Sequence, residues 1–165
     1  MSEFRHLEAQ PTPPGRRRGS IRLSDDEAWE VVRSAHTGIV TSLRRDGAPV
    51  ALPVWFVVED RVIWLSTLAS SKKVTRLRNN PNASFLVESG ERWAELRAVH
   101  LSCTARIVEG DKVAWVDAQK ATKYAAYQTA RAQLPARTRD HYGARRVAIS
   151  LHSDPRILSW DNSRI

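Results

Sequence analysis

Residues 38–67 read GIVTSLRRDGAPVALPVWFVVEDRVIWLST and contain three apolar segments separated by short polar turns. Gly38 to Leu43 alternates between apolar and polar side chains, as a half-buried strand does. Arg45-Asp46-Gly47 is typical of a hairpin turn, and Val50 to Val58 then predicts a second strand that is apolar on both faces. Val62 to Thr67 predicts a third strand. The stretch therefore predicts an antiparallel meander of three strands.

The second of these strands differs from its neighbours in two ways. Because it is apolar on both faces, we expect it to be covered on two sides. Pro53 has no N–H to give to a β-ladder, so it predicts an edge strand, a bulge or a place where something other than a strand approaches.

The rest of the chain predicts further strands and three helices. Capping residues and apolar stripes at helical spacing mark helices, and alternating apolar residues mark strands. Six or seven strands joined mostly by short turns favour a mainly β fold, a closed or nearly closed antiparallel barrel with flanking helices, over a parallel α/β sheet. The predicted elements are a helix over 24–35 with a Ser24–Glu27 capping box, a short helix from Ser70 or Ser71 to Asn80-Pro81, strands over 83–88 and 94–108, a helix from Gly110-Asp111 to about Ala132, a polar connection over 133–142, and strands over 146–151 and 156–160 around a turn at Ser153-Asp154-Pro155.

Length and composition predict one domain with a tail. The chain has 165 residues, 42% of them hydrophobic, which is enough for one ordinary core. Residues 1–22 are rich in proline, glycine and arginine and predict a mobile basic tail, which leaves residues 23–165 as the domain. Cys103 is the only cysteine, and neither a secretory signal nor an apolar run of membrane-spanning length is present. We therefore expect a cytoplasmic protein.

The charge of the chain favours anionic partners. Lysine and arginine outnumber aspartate and glutamate by 26 to 18, which makes the surface potential positive. Arg16 to Arg18 could act as a nucleic-acid arm, but no aromatic platform accompanies them and short basic tails are commonly just solvated, so nucleic acid is not expected. The five histidines show no ligand spacing, and we predict no metal.

The segment Thr67-Leu68-Ala69-Ser70-Ser71-Lys72-Lys73 predicts a binding site for an anion. The start of a helix carries free N–H groups and partial positive charge, so two lysines in the first turn are unfavourable unless an anion offsets them. A phosphate could accept hydrogen bonds from the amides, the serine hydroxyls and a lysine together. A solvated basic helix with an ordinary serine cap explains the same spacing.

Several motifs resemble one family of proteins. They are Thr37-Gly38-Ile39-Val40-Thr41, the turn Asp46-Gly47 with Pro49, the strand Leu52-Pro53-Val54-Trp55-Phe56, the cluster Ser71-Lys72-Lys73-Val74 followed by Leu77 and Asn80-Pro81, and the segments Leu96-Arg97-Ala98-Val99 and Ser159-Trp160-Asp161. From Thr37 to about Val108 the chain resembles the split β-barrel proteins related to pyridoxamine phosphate oxidase. The resemblance is greatest to the branch that uses FMN or the deazaflavin coenzyme F420.

The resemblance implies a homodimer of split barrels with a cofactor in the groove between the subunits. By position, Thr67, Ser71, Lys72 and Lys73 would hold the phosphate end of the cofactor. The segment Pro53-Val54-Trp55 would lie beside its ring, at the unpaired edge that Pro53 itself predicts. Among the six tryptophans, Trp55 and Trp160 are the best candidates for stacking on the cofactor, although most of the tryptophans are expected in the core.

The expected activity is hydride transfer between coenzyme F420 and a small electron-poor organic substrate. A deazaflavin or flavin carries this chemistry itself, so the lack of a nucleophile elbow does not count against an enzyme. Tyr124 or Tyr127 could donate a proton, although tyrosines on a helix face more often pack. FMN is the alternative cofactor, and a non-catalytic cofactor or haem carrier is the alternative function. Coenzyme F420 has an acidic oligoglutamate tail, to which Arg76, Arg78 and Arg97 could offer favourable charge.

Overall fold

A computed structural model describes residues 20–129 and 144–165, together with Gln133 and Pro135. The tail with Arg16–Arg18 and most of the polar connection over 133–142 lie outside these residues. The described part folds into three α-helices and seven β-strands. They are α1 (Asp25–Ser34), β1 (Gly38–Leu43), β2 (Pro49–Val54), β3 (Val57–Glu59), β4 (Val62–Leu68), α2 (Lys72–Asn79), β5 (Asn82–Ser89), β6 (Arg97–Val108), α3 (Asp111–Lys123) and β7 (Arg146–Asp161).

The seven strands form one curled antiparallel sheet. Its strand order is β2-β1-β5-β6-β7-β4-β3, so β2 and β3 lie at opposite edges. Only Trp55 and Phe56 separate these two strands in sequence. In a flat sheet the edges would be about 29 Å apart, at about 4.8 Å per strand, whereas the three peptide steps from Val54 to Val57 span at most about 11 Å. The sheet must therefore curl until its edges come together at this crossing, which agrees with the closed or nearly closed antiparallel barrel that the strand pattern predicts.

The core fills the inside of this curled sheet. It includes Phe56, Phe85, Leu65 and Ile149, all of which are fully buried. At Gly38 the chain runs directly under the Phe85 ring, since a Cβ at this position would come within 2.2 Å of it. Strand β6 contributes Val99, Leu101, Cys103 and Ala105, which are buried in this core at alternate positions.

Three helices pack against the barrel, and α2 contributes the buried Val74 and Leu77 to its core. The predicted Ser24–Glu27 capping box is present, and α1 buries Ala28, Trp29 and Val32 against the core. Helix α3 lies on the outer face of the sheet, where Val116 packs with Val57 of β3 and Ala148 of β7. No helix in the described part of the chain is long and apolar enough to cross a membrane.

The predicted strand over Val50–Val58 is wrong in one respect, because it is two strands. The ladder is broken at Trp55-Phe56, where the chain leaves β1 and crosses to β4. The Tyr124 hydroxyl accepts a hydrogen bond from the Phe56 N–H at 3.0 Å and lies 3.0 Å from the Phe56 carbonyl oxygen. The side chain of Tyr124, the residue that follows α3, thus replaces a strand partner at this position. Pro53 lies on an edge strand, as predicted.

The sequence predicts that the apolar segment Val50–Val58 is covered on two sides, but a single chain covers it only in part. Ala51, Leu52 and Pro53 are exposed, and Leu52 has 39% of its surface accessible.

The predicted pair of strands at the C-terminus is also wrong, because β7 is one strand. Its register against β6 shifts between Leu101, which faces Ile157, and Cys103, which faces Ser153. Two extra residues of β7 are accommodated there, so the sequence around Pro155 forms a bulge instead of a turn. A bulge tolerates Pro155 because it requires no N–H at that position.

The third helix is shorter than predicted. It ends at Lys123 instead of near Ala132, and a single 3-10 turn over Ala125–Tyr127 follows. The helix stops where Tyr124 turns inward to reach Phe56, and Lys120 and Lys123 in its last turn suit the negative end of the helix dipole.

Candidate functional site

The predicted anion segment lies where β4 ends and α2 begins. Ser71 caps α2, and its hydroxyl oxygen accepts a hydrogen bond from the Val74 N–H at 3.4 Å. The first turn of α2 contains no acidic residue. Lys72 is exposed, whereas Thr67, Ser71 and Lys73 are half-buried. The segment therefore combines a helix N-terminus with two lysines, as the sequence indicates.

Lys73 is the residue of this segment whose charge its surroundings disfavour. Burial lowers the pKa of its ammonium group, and the nearby positive charges of Arg76 and Lys120 lower it further. Within the described residues, no carboxylate lies within 4.0 Å of its Nζ atom. An anion beside Lys73 would offset both the burial and the repulsion.

A second group of polar side chains extends the positive region toward α3. Ser66 Oγ accepts hydrogen bonds from Lys120 Nζ and from Arg146 Nη2, each at 3.0 Å, and donates one to Asp117 Oδ1 at 2.5 Å. The pKa of Lys120 is also lowered, mainly by burial. The sequence analysis missed this group because its members come from β4, α3 and β7.

A groove lies on the other side of α2, against the β1–β2 turn. It has a volume of about 580 Å³ and is lined by Arg44, Arg45, Lys72 and Arg76, together with Leu43, Thr75, Asn79 and Asn80. Its lining contains no carboxylate. Arg76 has a fixed position there because its Nε donates a hydrogen bond to the buried Ser42 Oγ at 2.8 Å. The groove thus presents four cations to one side of the helix.

The predicted ring-binding segment lies at the end of β2 and in the crossing to β3. Val54 pairs with Gly38 of β1, and the β3–β4 ladder begins only at the pair Val57–Trp64. Trp55 is half-buried and stacks on Tyr124, with ring centroids 4.3 Å apart and planes 3° apart. Trp55 is therefore held against Tyr124 at the seam of the barrel, and a role of Pro53-Val54-Trp55 beside a cofactor stays a prediction.

Tyr124 has a structural position in this arrangement. Besides the bonds with Phe56, its hydroxyl lies 2.9 Å from the carbonyl oxygen of His36. Burial raises the pKa of the phenol, so it stays protonated and can donate to one of these carbonyl groups. Tyr127, the other proton donor suggested by the sequence, is exposed.

Trp160 is not part of this group within one chain. It is half-buried on β7 and pairs with Ala98, whereas the opposite end of β7, at Arg146, pairs with Leu68 beside the basic segment. Arg97 lies at the same far end as Trp160 and forms an ion pair with Asp161 at 2.9 Å. Arg78 faces Glu109 at 3.7 Å. Of the three arginines suggested for an acidic tail, only Arg76 lines the groove.

Comparison with known proteins shows what the chain is related to. No protein of curated function matches the sequence. A conserved hypothetical protein of Mycobacterium tuberculosis, Rv2991, is 30% identical in its solved structure, with 91% of this chain and 92% of that chain covered and a TM-score of 0.74.

Two more distant solved structures share the fold. An F420 reductase is 18% identical, covers 78% of this chain and 94% of its own, and has a TM-score of 0.59. The haem storage protein HutZ of Vibrio cholerae is 14% identical, with 82% and 94% covered and a TM-score of 0.62. The family model for pyridoxamine 5'-phosphate oxidase matches residues 24–149. The chain therefore belongs to the pyridoxamine 5'-phosphate oxidase family and has its split-barrel fold.

Proposed function

We propose that the chain is an oxidoreductase that binds coenzyme F420 and transfers hydride between it and a small electron-poor organic substrate. The observation that carries the proposal is Lys73, half-buried among other cations with no carboxylate within ion-pair distance in the described residues. A phosphate-bearing cofactor is the kind of ligand that such a place fits. The named F420 reductase of the same fold supports the choice of cofactor.

The residues at the site would divide the binding between them. Thr67, Ser71, Lys72 and Lys73 would hold the phosphate through hydroxyl, amide and ammonium donors. Pro53-Val54-Trp55 would lie along the ring at the barrel seam, where Tyr124 holds Trp55 by stacking. The deazaflavin itself supplies the hydride chemistry when it is bound. The protein then contributes orientation and the exclusion of water.

The basic groove favours the deazaflavin over FMN. Coenzyme F420 carries carboxylates beyond its phosphate, and FMN does not. Arg44, Arg45 and Arg76 line a groove that adjoins the proposed phosphate site through Lys72. These cations would attract an acidic tail and would have no comparable contact with FMN.

A homodimer would complete the site. The exposed apolar residues of β2, which one chain leaves uncovered, support an interface at this edge. Trp160, which lies far from Lys73 in its own chain, would then reach a cofactor only from a second subunit. We expect the dimer to act in the cytoplasm.

The main test uses protein purified from a host that makes both cofactors. The absorbance spectrum and mass of the copurified compound should be those of the deazaflavin. Lys73→Ala should weaken its binding about tenfold to a hundredfold, the value of one or two charge-assisted hydrogen bonds. The thermal stability of the cofactor-free protein should stay nearly unchanged. Arg156→Ala removes an exposed charge from the β7 bulge and serves as the matched control.

The choice between the two cofactors can be tested on the groove. Arg45→Ala should weaken binding of the deazaflavin severalfold, more at low than at high salt, and leave FMN binding unchanged. Equal losses for both cofactors would argue against a tail in the groove. Loss of the fold in Lys73→Ala would show that this lysine is structural.

A non-catalytic carrier is the second candidate. The haem storage protein of the same fold supports it, and so does the engagement of the Tyr124 hydroxyl by backbone groups, which leaves it no proton to spare for a substrate. Protein that binds the reduced deazaflavin but never oxidises it with quinone, enone or tetrapyrrole acceptors would favour the carrier. Turnover with any of these acceptors would favour the enzyme.

A further inference from the structure

The hydrogen-bond network around Ser66 joins α3 and β7 to the basic segment. Asp117 Oδ1 accepts a hydrogen bond from the Ser66 hydroxyl at 2.5 Å, and Arg146 Nε lies 3.2 Å from Asp117 Oδ2. Lys120 and Arg146 both donate to the same Ser66 oxygen. The hydroxyl therefore has no hydrogen-bonding capacity left, and each of its partners is charged.

The charges of this region do not balance. Lys73 feels the positive charges of Arg76 and Lys120, and Lys120 in turn feels that of Arg146. Asp117 is the carboxylate that acts on Lys120. Lys73, Arg76, Lys120 and Arg146, contributed by α2, α3 and β7, therefore repel one another from neighbour to neighbour, and Asp117 meets this group through its contacts with Ser66 and Arg146. Half-buried cations in such a number are costly unless further negative charge is present.

We propose that Lys120 and Arg146 complete the anion site of Lys73, and that Asp117 is a built-in counterion which the phosphate of a bound ligand displaces. The inference rests on the proposed function and deepens it, because the phosphate is that of the same cofactor. It assigns binding roles to three residues outside the anion segment that the sequence indicates.

Displacement of Asp117 is physically reasonable. The Asp117 side chain is 39% exposed, so its carboxylate can rotate into solvent when another anion binds Lys120 and Arg146. The phosphate of coenzyme F420, from which the tail continues, is a diester with one negative charge on two free oxygens, and these can accept hydrogen bonds from Lys120, Arg146 and Lys73 together. Inorganic phosphate carries up to about twice that charge, so it should displace Asp117 more readily than a ligand with a single carboxylate does.

The test uses inorganic phosphate and cofactor-free protein, with binding followed by calorimetry. Asp117→Asn keeps the shape of the side chain and removes its charge, so phosphate should bind roughly tenfold more tightly, although the free protein becomes less stable. Lys120→Gln should weaken phosphate binding roughly tenfold, and Lys120→Arg should restore most of it. Acetate should bind at least tenfold more weakly than phosphate to the unchanged protein. Arg156→Ala should behave as the unchanged protein does.

Opposite changes in stability and affinity distinguish a counterion from a purely structural residue. Weaker phosphate binding in folded Asp117→Asn would overturn the proposal, and so would unchanged binding in Lys120→Gln. If the phosphate results are as expected but neither deazaflavin nor flavin binds, the proposed function fails and the anion site stands. If a cofactor binds and Lys120→Gln leaves its affinity unchanged, the proposed function stands and the role of Lys120 fails.

Discussion

The two ends of the β4–β7–β6 part of the sheet use charge in opposite ways. At the end near the C-terminus, the buried Asp161 accepts hydrogen bonds from Ser163 and from Arg97, and it lies 3.6 Å from Arg164. Arg164 also pairs with Glu27 of α1 at 2.6 Å. At the other end, Lys73 has cations for neighbours and no carboxylate in the described chain within 4.0 Å. One end uses its charges to hold the fold together, and the other leaves positive charge uncompensated.

Shifts of pKa in the same direction have different meanings at the two ends. Hydrogen bonds lower the pKa of Glu27 to about 2 and also lower that of Asp161, so the charged forms of these acids are stabilised. Their contribution to stability is present above an ordinary carboxyl pKa near 4.5 and is lost as the pH falls towards 2. A lowered lysine pKa means that the charged form is destabilised, because burial and repulsion oppose it. Paired charges are therefore structural here, whereas the destabilised charge of Lys73 is the one that the proposed anion would offset.

The largest expected effect on stability is at the paired end. Asp161→Ala removes an acceptor that serves Ser163, Arg97 and Arg164, and should lower the free energy of unfolding by about 2–3 kcal/mol. Urea unfolding measures the loss. Asp154→Ala removes an exposed carboxylate from the bulge of the same strand, and should cost less than about 0.5 kcal/mol. Similar losses in both variants would contradict a structural role for the paired end.

The next effect is a rise in stability at alkaline pH. Burial lowers the pKa of Lys123, whose Nζ lies 4.0 Å from the centre of the Phe56 ring, from 10.5 to about 8. Between these pH values the unfolded chain binds more protons than the folded one, so the free energy of unfolding increases with pH. Because the side chain is partly exposed, we expect a gain of about 1 kcal/mol.

Variants of two lysines on α3 test this assignment. Lys123→Met should remove the part of the rise that comes from this lysine, the one with the largest shift, and leave a smaller part from Lys73 and Lys120, whose pKa values are also lowered, as measured by urea unfolding from pH 7.5 to 10. Lys112→Met removes a lysine that is paired with Glu59 at 2.6 Å and should retain it. A rise that persists undiminished in Lys123→Met would show that other lysines cause it.

A smaller effect is expected at Lys73 in the cofactor-free protein. Lys73→Met keeps most of the aliphatic packing and removes a charge that its surroundings disfavour. The free energy of unfolding should increase by about 0.5–1 kcal/mol, while phosphate binding weakens. The same substitution would then increase stability and decrease the affinity for phosphate. A decrease in stability of the same size would mean that Lys73 has a compensating partner and that the two ends are alike.

The smallest effect is expected at a paired cation of the basic end. Arg145 is mostly exposed and pairs with Glu109 at 2.5 Å. Arg145→Ala should change the free energy of unfolding by no more than about 0.5 kcal/mol and leave phosphate binding unchanged. A clear loss of phosphate binding would show that the total charge of this end matters more than the uncompensated lysines.

Much of the fold could be predicted from local sequence. The capping box of α1, the β1–β2 turn with Gly47 at a φ of 83°, the alternation of β6 and the end of α2 before Pro81 each depend on neighbouring residues. Such signals act over a few residues and are visible without the fold. The family resemblance added the homodimer of split barrels and the assignment of the basic segment to the phosphate of a cofactor.

The errors in the sequence analysis have tertiary causes. The break at Trp55-Phe56 depends on Tyr124, a residue 68 positions after Phe56. The bulge in β7 arises because β6 continues past it and keeps the two parts in one strand. Asp117, Lys120 and Arg146 carry no local signal of a site, since their contacts with Ser66 form only when α3 packs on the sheet.

The closure of the barrel by Tyr124 links the motion of α3 to that of the sheet. A single phenol oxygen bonds the Phe56 amide and reaches the carbonyl group ahead of β1. When the last turn of α3 frays, the seam beside Trp55 loses its closure at the same moment. The Phe56 amide should therefore exchange its hydrogen with solvent at the rate at which the end of α3 opens, although it belongs to neither a helix nor a strand.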